Sequence, residues 1–297
     1  MSSRTLGSPA LWGVIAAHLA LVVSSRIFGL DLPFPGIPVL ILLVITTMHA
    51  LRRYNLMSYL IFALITFVVS NGYENLSILT GFPFGDYYYS DGLGVKLFLV
   101  PWLIAPAYFA AGYFAWSIAH ILLGLFGSRA RGTDIFLLPM IASFVMVMWD
   151  MVMDPVNATI GGNWIWEDGG SYFGVPLSNY LGWLLCVFTI FQLFALYLAW
   201  RGPAAEASGS HIRTADKGYW YQAIIPFFAI SLASTLYTFV SADALVADPT
   251  GQPWHTRDIF ESMTLVGVFT VWFVCLLSAL LVHRTELKSG QRPPPPR

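Results

Sequence analysis

Eight times along its 297 residues the chain runs apolar for about the length of a bilayer crossing, which restricts it to folds that a membrane can solvate. A hydrocarbon core takes roughly 20 apolar residues per helix. The runs lie near 11–29, 37–51, 56–74, 97–126, 135–153, 180–200, 219–242 and 263–282. Within lipid every backbone N–H and C=O must be satisfied inside the protein, so each run is expected to be helical. The expected fold is all-α: a polytopic integral membrane protein of about eight transmembrane helices with ordered outer loops. The second run is short. The fourth is long enough to need a strong tilt or a half-buried start, and Pro101 and Pro106 within it suit a kink or a re-entrant segment. One helical domain is expected over 1–287, followed by a disordered proline-rich tail over 288–297.

Composition agrees with a lipid environment. Only 10% of residues are charged and mean hydropathy is +0.68, where a soluble domain carries about a quarter charged residues. The net charge of −1 and the lack of a basic stripe argue against a nucleic-acid partner. Cys186 and Cys275 sit singly in apolar runs and read as small core hydrophobes. Arg4 followed by an apolar run from Leu11 has the outline of a signal peptide. No small-x-small site closes that run, so a retained first helix is expected.

Positive charge sets the orientation. With the N-terminus inside, only Arg26, Lys96 and Arg257 of the 15 Lys and Arg residues fall on the outer side. An even number of spans with both termini cytoplasmic, in a cell inner or plasma membrane, follows from that asymmetry. The carboxylates gather the other way: Asp31, Glu74, Asp86, Asp91, Asp150, Asp154, Glu167, Asp168, Asp243, Asp248, Asp258 and Glu261 fall at or near the outer side. A functional mouth on the outer face is therefore expected. No internal repeat is evident, which counts against an inverted-repeat transporter.

Three outer segments hold the residue types that carry chemistry. Asn71 to Asn75 leads into the loop Gly81 to Gly94. Trp149 to Pro155 ends the fifth run. Asn163 to Trp183 enters the sixth. Asp150 and Asp154 are four apart and share a face if the helix reaches that far. Pro155 pushes its predecessor out of the α region, so Asp150 is expected on the helix and Asp154 at its exit. Carboxylates at the end of an apolar helix are either paired structural groups or acids held protonated by desolvation and like charge. The neighbouring aromatics suit a membrane-interface belt, or a groove for a long polyene whose ring faces also stabilise a cation. The six histidines are scattered with no metal-binding spacing, and no Gly-x-Gly-x-x-Gly follows a strand. Neither a metal nor a cofactor is expected.

Glu74, then Thr80-Gly81-Phe82-Pro83-Phe84-Gly85-x-Tyr87-x-Tyr89, then Leu93-Gly94-x-Lys96-Leu97 and Val100-Pro101, resembles the CruF-type family of membrane carotenoid hydratases. Asp150-x-x-x-Asp154-Pro155 is similar too. So are Trp164-x-Trp166 and Gly170-x-Tyr172-Phe173-Gly174-Val175-Pro176-x-x-Asn179-Tyr180-x-Gly182-Trp183. The resemblance covers the middle third of the chain, in the family's order. It implies addition of water across the terminal C1=C2 bond of an acyclic ψ end of a membrane-embedded carotenoid, giving a tertiary alcohol. Protonation at C2 leaves a tertiary cation at C1 for water to capture. The residues expected to act are Asp150 or Glu74 as proton donor, with Asp154 and Asp86 orienting or deprotonating water. Phe82, Phe84, Tyr87, Tyr89, Trp164, Trp166, Tyr172 and Asn179 are expected to line the pocket. A cofactor-free isoprenoid cyclase or isomerase, and a carotenoid-binding protein without turnover, are the alternatives. Which carotenoid, and the oligomeric state, cannot be read from the chain.

Overall fold

The computed structural model describes residues 7–29 and 36–287; Asp31 and the tail 288–297 lie outside them. Helices dominate: α1 (Pro9–Ile27), α2 (Ile37–Ala50), α3 (Leu56–Thr80), α4 (Ile104–Leu122), α5 (Asp134–Pro155), α6 (Leu177–Arg201), the short α7 (Ser210–Thr214), α8 (Lys217–Val240), α9 (Thr256–Gly267) and α10 (Phe273–Arg284). A π-helical turn, Val156–Ile160, prolongs α5, and a second, Val268–Trp272, joins α9 to α10. Among the described residues, six helical segments are long and apolar enough to cross a membrane: Pro9–Ile27, Leu56–Thr80, Asp134–Ile160, Leu177–Ala205, Lys217–Val240 and Thr256–Arg284. The protein is an all-α polytopic membrane protein. Of the eight expected spans, the remaining two correspond to α2, which has 14 residues, and to α4.

Helix α4 is the central post. Every residue from Tyr108 to Ile121 is buried, as expected of a helix enclosed on all sides by protein. It packs against α2, α3, α5, α8 and α10, while α6 bridges α3 and α5, and α1 lies on α2 and α8. Three two-stranded ribbons sit at one end of the bundle: β1 (Tyr87–Tyr89) with β4 (Trp164–Trp166), β2 (Lys96–Leu97) with β3 (Val100–Pro101), and β5 (Leu245–Ala247) with β6 (Pro253–His255). The opposite end is tied by Asn55 N–H to the Ala205 carbonyl (3.1 Å), Ala207 N–H to the Arg53 carbonyl (2.9 Å) and an Arg129–Glu206 ion pair (3.6 Å). Arg52, Arg53, Arg129, Arg201 and Arg213 therefore gather opposite the ribbon end.

Three expectations need correction. The fourth helix does not fill 97–126. Residues before Ile104 form the β2–β3 ribbon, with Pro101 inside it. Pro106 falls in the first turn of α4, where its missing N–H has no intrahelical partner to lose, so neither a kink nor a re-entrant segment is required. Helix α3 runs on past position 74 to Thr80, its polar side chains bonding back to carbonyls one turn earlier rather than competing for the helix's N–H groups. Asn75 reaches the Asn71 carbonyl (2.8 Å) and Thr80 the Leu76 carbonyl (2.7 Å), before Gly81 ends the helix at φ 74°.

The third correction concerns Pro155, which does not release Asp154 from α5. A helical proline leaves the carbonyl four residues earlier without its N–H. Here that carbonyl, Met151, accepts the Tyr172 hydroxyl at 3.2 Å, and the wide π turn follows. Pro139 repeats the device: the Gln192 amide donates to the freed Ile135 carbonyl at 3.2 Å. Substitute donors let α5 keep two prolines without breaking.

Candidate active site

The buried face of α3 repeats nearly every fourth residue: Ser58, Phe62, Thr66, Ser70, Glu74, Ser77. Small hydroxyl residues along this stripe let the helix approach its neighbours closely, and the stripe carries Glu74 inward. Side chains alternate along a strand, so β1 turns Tyr87 and Tyr89 into the protein and Tyr88 (48% exposed) outward. Both inward phenols donate to Glu74 Oε2, Tyr89 at 2.8 Å, and Tyr108 of α4 donates to Oε1 at 2.7 Å. A carboxylate that receives three O–H donors is placed as an acceptor, the arrangement that suits its ionised form. Burial, and then the Glu74 charge, push the Tyr87 and Tyr89 phenols well above their ordinary range, so both keep their protons.

Strand pairing sets the aromatic wall. Tyr87 lies opposite Trp166 and Tyr89 opposite Trp164, with ring centroids 4.7 Å and 6.1 Å apart. Directly opposed aromatic pairs are among the stronger cross-strand contacts. Trp183 stacks on Tyr108 at 4.2 Å and meets Trp149 edge-on at 5.9 Å, which connects the Glu74 cage to α5.

On α5, Asp150 and Asp154 share the buried face, each 1% exposed. The Asn179 amide, in the first turn of α6, reaches both: Nδ2 donates to Asp154 Oδ2 at 2.6 Å and to Asp150 Oδ2 at 3.2 Å. Trp164 Nε1 donates to Asp154 Oδ1 at 2.5 Å, so both Asp154 oxygens are engaged. Asp150 Oδ1 is buried without a partner, as are the Tyr180 hydroxyl, Trp149 Nε1 and Trp166 Nε1. Glu74 lies within electrostatic range of both aspartates, and so do Tyr172 and Tyr180. Burial first, then these two carboxylates, push the Tyr172 phenol up to about 12.

No cation neutralises these acids among the described residues. Lys96, Arg129 and His255 pair with other carboxylates, Asp91, Glu206 and Asp243. Arg257 meets Asp243 through its backbone N–H. Buried carboxylates are costly to leave without a cation, so three of them with only neutral donors make this end of the bundle the candidate site. Among the described residues, no three His, Cys, Asp or Glu side chains stand together as a candidate metal centre. The Glu74 cage and the aspartate pair are therefore neighbours, not one cluster.

Of the expected site residues, Glu74, Asp150, Asp154, Tyr87, Tyr89, Trp164, Trp166, Tyr172 and Asn179 come together at this end of the bundle. Phe84 is buried behind them, its ring against Gly182, where a Cβ would stand 2.6 Å from Phe84 Cδ1. Two stand apart. Asp86 is exposed, with its carboxylate over Gly81, and Phe82 is 59% exposed. Sequence reasoning passed over Tyr108, Tyr180, Trp149 and Trp183. The last three flank residues already singled out, but nothing local separates Tyr108 from the other aromatics of its helix.

Comparison with known proteins matches the same region. A family model described as "Carotenoid biosynthesis protein" matches residues 36–248, which include every residue of the site. Bisanhydrobacterioruberin hydratase of Haloarcula japonica is 37% identical over 117 residues, which is 39% of this chain. The match spans 38% of that relative's length. No solved structure matches the chain. With a polytopic membrane fold, a caged acid site and a family match over most of its length, the chain belongs to the carotenoid biosynthesis protein family.

Proposed function

We propose that the protein is a carotenoid hydratase, a hydro-lyase that adds water across the terminal C1=C2 bond of a ψ end held in the membrane. The observation that carries this reading is the aspartate pair: two buried carboxylates on one helical face, joined by one neutral amide, with one oxygen left unpartnered. Two such groups without a cation are best served by one shared proton. Asp150, whose Oδ1 is free, is the donor. Its proton goes to C2 of the alkene, and the tertiary cation forms at C1. Water bonds to C1 through oxygen and loses one proton to the aspartate pair, which restores the acid. One C–H and one C–O bond form, the π bond is lost, and no oxidant or cofactor enters the balance.

Glu74 takes a different part. Fixed by three phenols, it supplies a negative charge that faces the developing cation without having to move. The ring faces of Tyr87, Tyr89 and Trp166 add quadrupole stabilisation. Exposed Asp86 and Phe82 have no part in this scheme. The arginine-rich end, by the positive-inside rule, is cytoplasmic, and the site opens on the other face.

The test is expression in bacteria that accumulate lycopene or γ-carotene, with extracted pigments separated by chromatography and weighed by mass spectrometry. A more polar pigment with the mass of one or two added waters and an unchanged chromophore supports hydration. A spectral shift without added mass would assign the same acid chemistry to cyclisation or isomerisation. Unchanged pigments with membrane-inserted protein would overturn the reading.

A further inference from the structure

A cleft of about 240 Å³ opens beside the Glu74 cage, between the last turns of α3 and the β2–β3 ribbon. Ile78 and Leu99 form its apolar side, Tyr88 and Tyr89 its inner wall, and Asp91 and Lys96 its polar end. Resting on the hydratase reading, we propose that this cleft is the lateral portal through which the apolar terminus of the polyene passes from lipid to the site.

Continuity is the first argument. Tyr89 lines the cleft, and its hydroxyl donates to Glu74 at 2.8 Å. One side chain thus separates the cleft from the carboxylate cage. The rim is the second. Leu79 is 72% exposed, Val95 76% and Phe98 83%, with Trp102 also exposed beside them. Leu79, Val95 and Phe98 adjoin the cleft-lining Ile78, Lys96 and Leu99 in sequence, and in a membrane protein apolar side chains so exposed are lipid contacts.

Attachment of the ribbon is the third argument. Leu99 N–H bonds the Asn75 side chain (3.1 Å), and the Lys96 ammonium bonds both the Tyr89 carbonyl (2.8 Å) and Asp91 (3.0 Å). The Lys96–Asp91 pair makes one end of the cleft polar, while Ile78 and Leu99 supply its apolar lining. A cleft of this size takes the terminal part of an isoprenoid chain, with the rest of the polyene left in the bilayer.

Cysteine labelling in proteoliposomes tests the portal. Cys186 and Cys275 are buried, so an introduced surface cysteine is the accessible thiol for a bulky maleimide. Tyr88→Cys places one in the cleft, and Asp168→Cys, on an exposed outer loop, is the control. Lycopene at ten times its half-saturating level is expected to slow labelling of Tyr88→Cys about tenfold, and labelling of Asp168→Cys not at all. The finished label at position 88 is expected to stop hydration, and the label at position 168 to leave it running.

Hydration that continues with position 88 blocked would sink the portal and leave the hydratase standing. Protection by lycopene in protein that never hydrates it would sink the hydratase reading and leave the portal standing. Labelling equally slow with and without lycopene would mean that a phospholipid chain fills the cleft, against the proposal.

Discussion

Asn179 holds two carboxylates with one amide, and that economy makes it the most informative side chain to change. Asn179→Leu leaves both aspartates without it, so kcat is expected to fall while KM holds, read by pigment turnover in proteoliposomes. Asp150→Asn removes the donor and is expected to lower turnover by about 10²–10⁴-fold, the range for general acid catalysis. Equal activity in wild type and Asp150→Asn would move the acid role elsewhere. Tyr108→Phe strips one donor from Glu74 and should lower unfolding stability by about 1.5–3 kcal/mol, the worth of a hydrogen bond to a charged group. At this scale the sequence was partly legible. The four-residue spacing of Asp150 and Asp154 predicts a shared face on an unbroken helix; Pro155 argued against that continuity, and the structure keeps both the helix and the face. Asp86 was grouped with Asp154 in handling water, because which loop carboxylate points inward depends on β1 pairing with β4, a contact between distant parts of the chain.

Helix α5 carries a proline that should have ended it, and the reason it does not is testable by a double-mutant cycle. Tyr172→Phe alone leaves the Met151 carbonyl unsatisfied and should cost about 1 kcal/mol of stability. In a Pro155→Ala background the restored N–H takes that carbonyl, and the Tyr172→Phe penalty should shrink towards zero. Thermal unfolding of the four proteins gives the coupling, and strictly additive losses would refute the substitution of one donor for the other. Packing of α6 on the loop before β1 offers a second check. Gly182→Ala would bring its Cβ within 2.8 Å of the Pro83 carbonyl oxygen and closer still to Phe84, so a loss of about 1–3 kcal/mol is expected. That the long helices exist was readable from apolar length. Their ends were not: α5 runs on past Pro155 because the Tyr172 hydroxyl takes the freed carbonyl, and α3 stops only at Gly81.

At the scale of the whole molecule, a basic end and an acid-bearing end face opposite ways, and that polarity gives a topological prediction. A membrane-impermeant maleimide applied to intact cells should modify Asp168→Cys but not a cysteine placed at exposed Arg131; the reverse pattern would invert the orientation. Nothing in the apolar pattern marks one helix as enclosed by the others. Helix α4 is absent from the six segments that are apolar enough to cross alone, yet it is the most thoroughly surrounded. Its tyrosines and Trp116 find side-chain partners only in the assembled bundle: Tyr108 with Glu74, Tyr113 with His49, and Trp116 with Tyr54. During synthesis the insertion machinery would meet this helix as a weakly lipophilic segment with no reason to leave the translocation channel sideways. Its retention then waits on helices made before and after it, and a nascent chain halted just beyond α4 would let this segment slip out of the membrane.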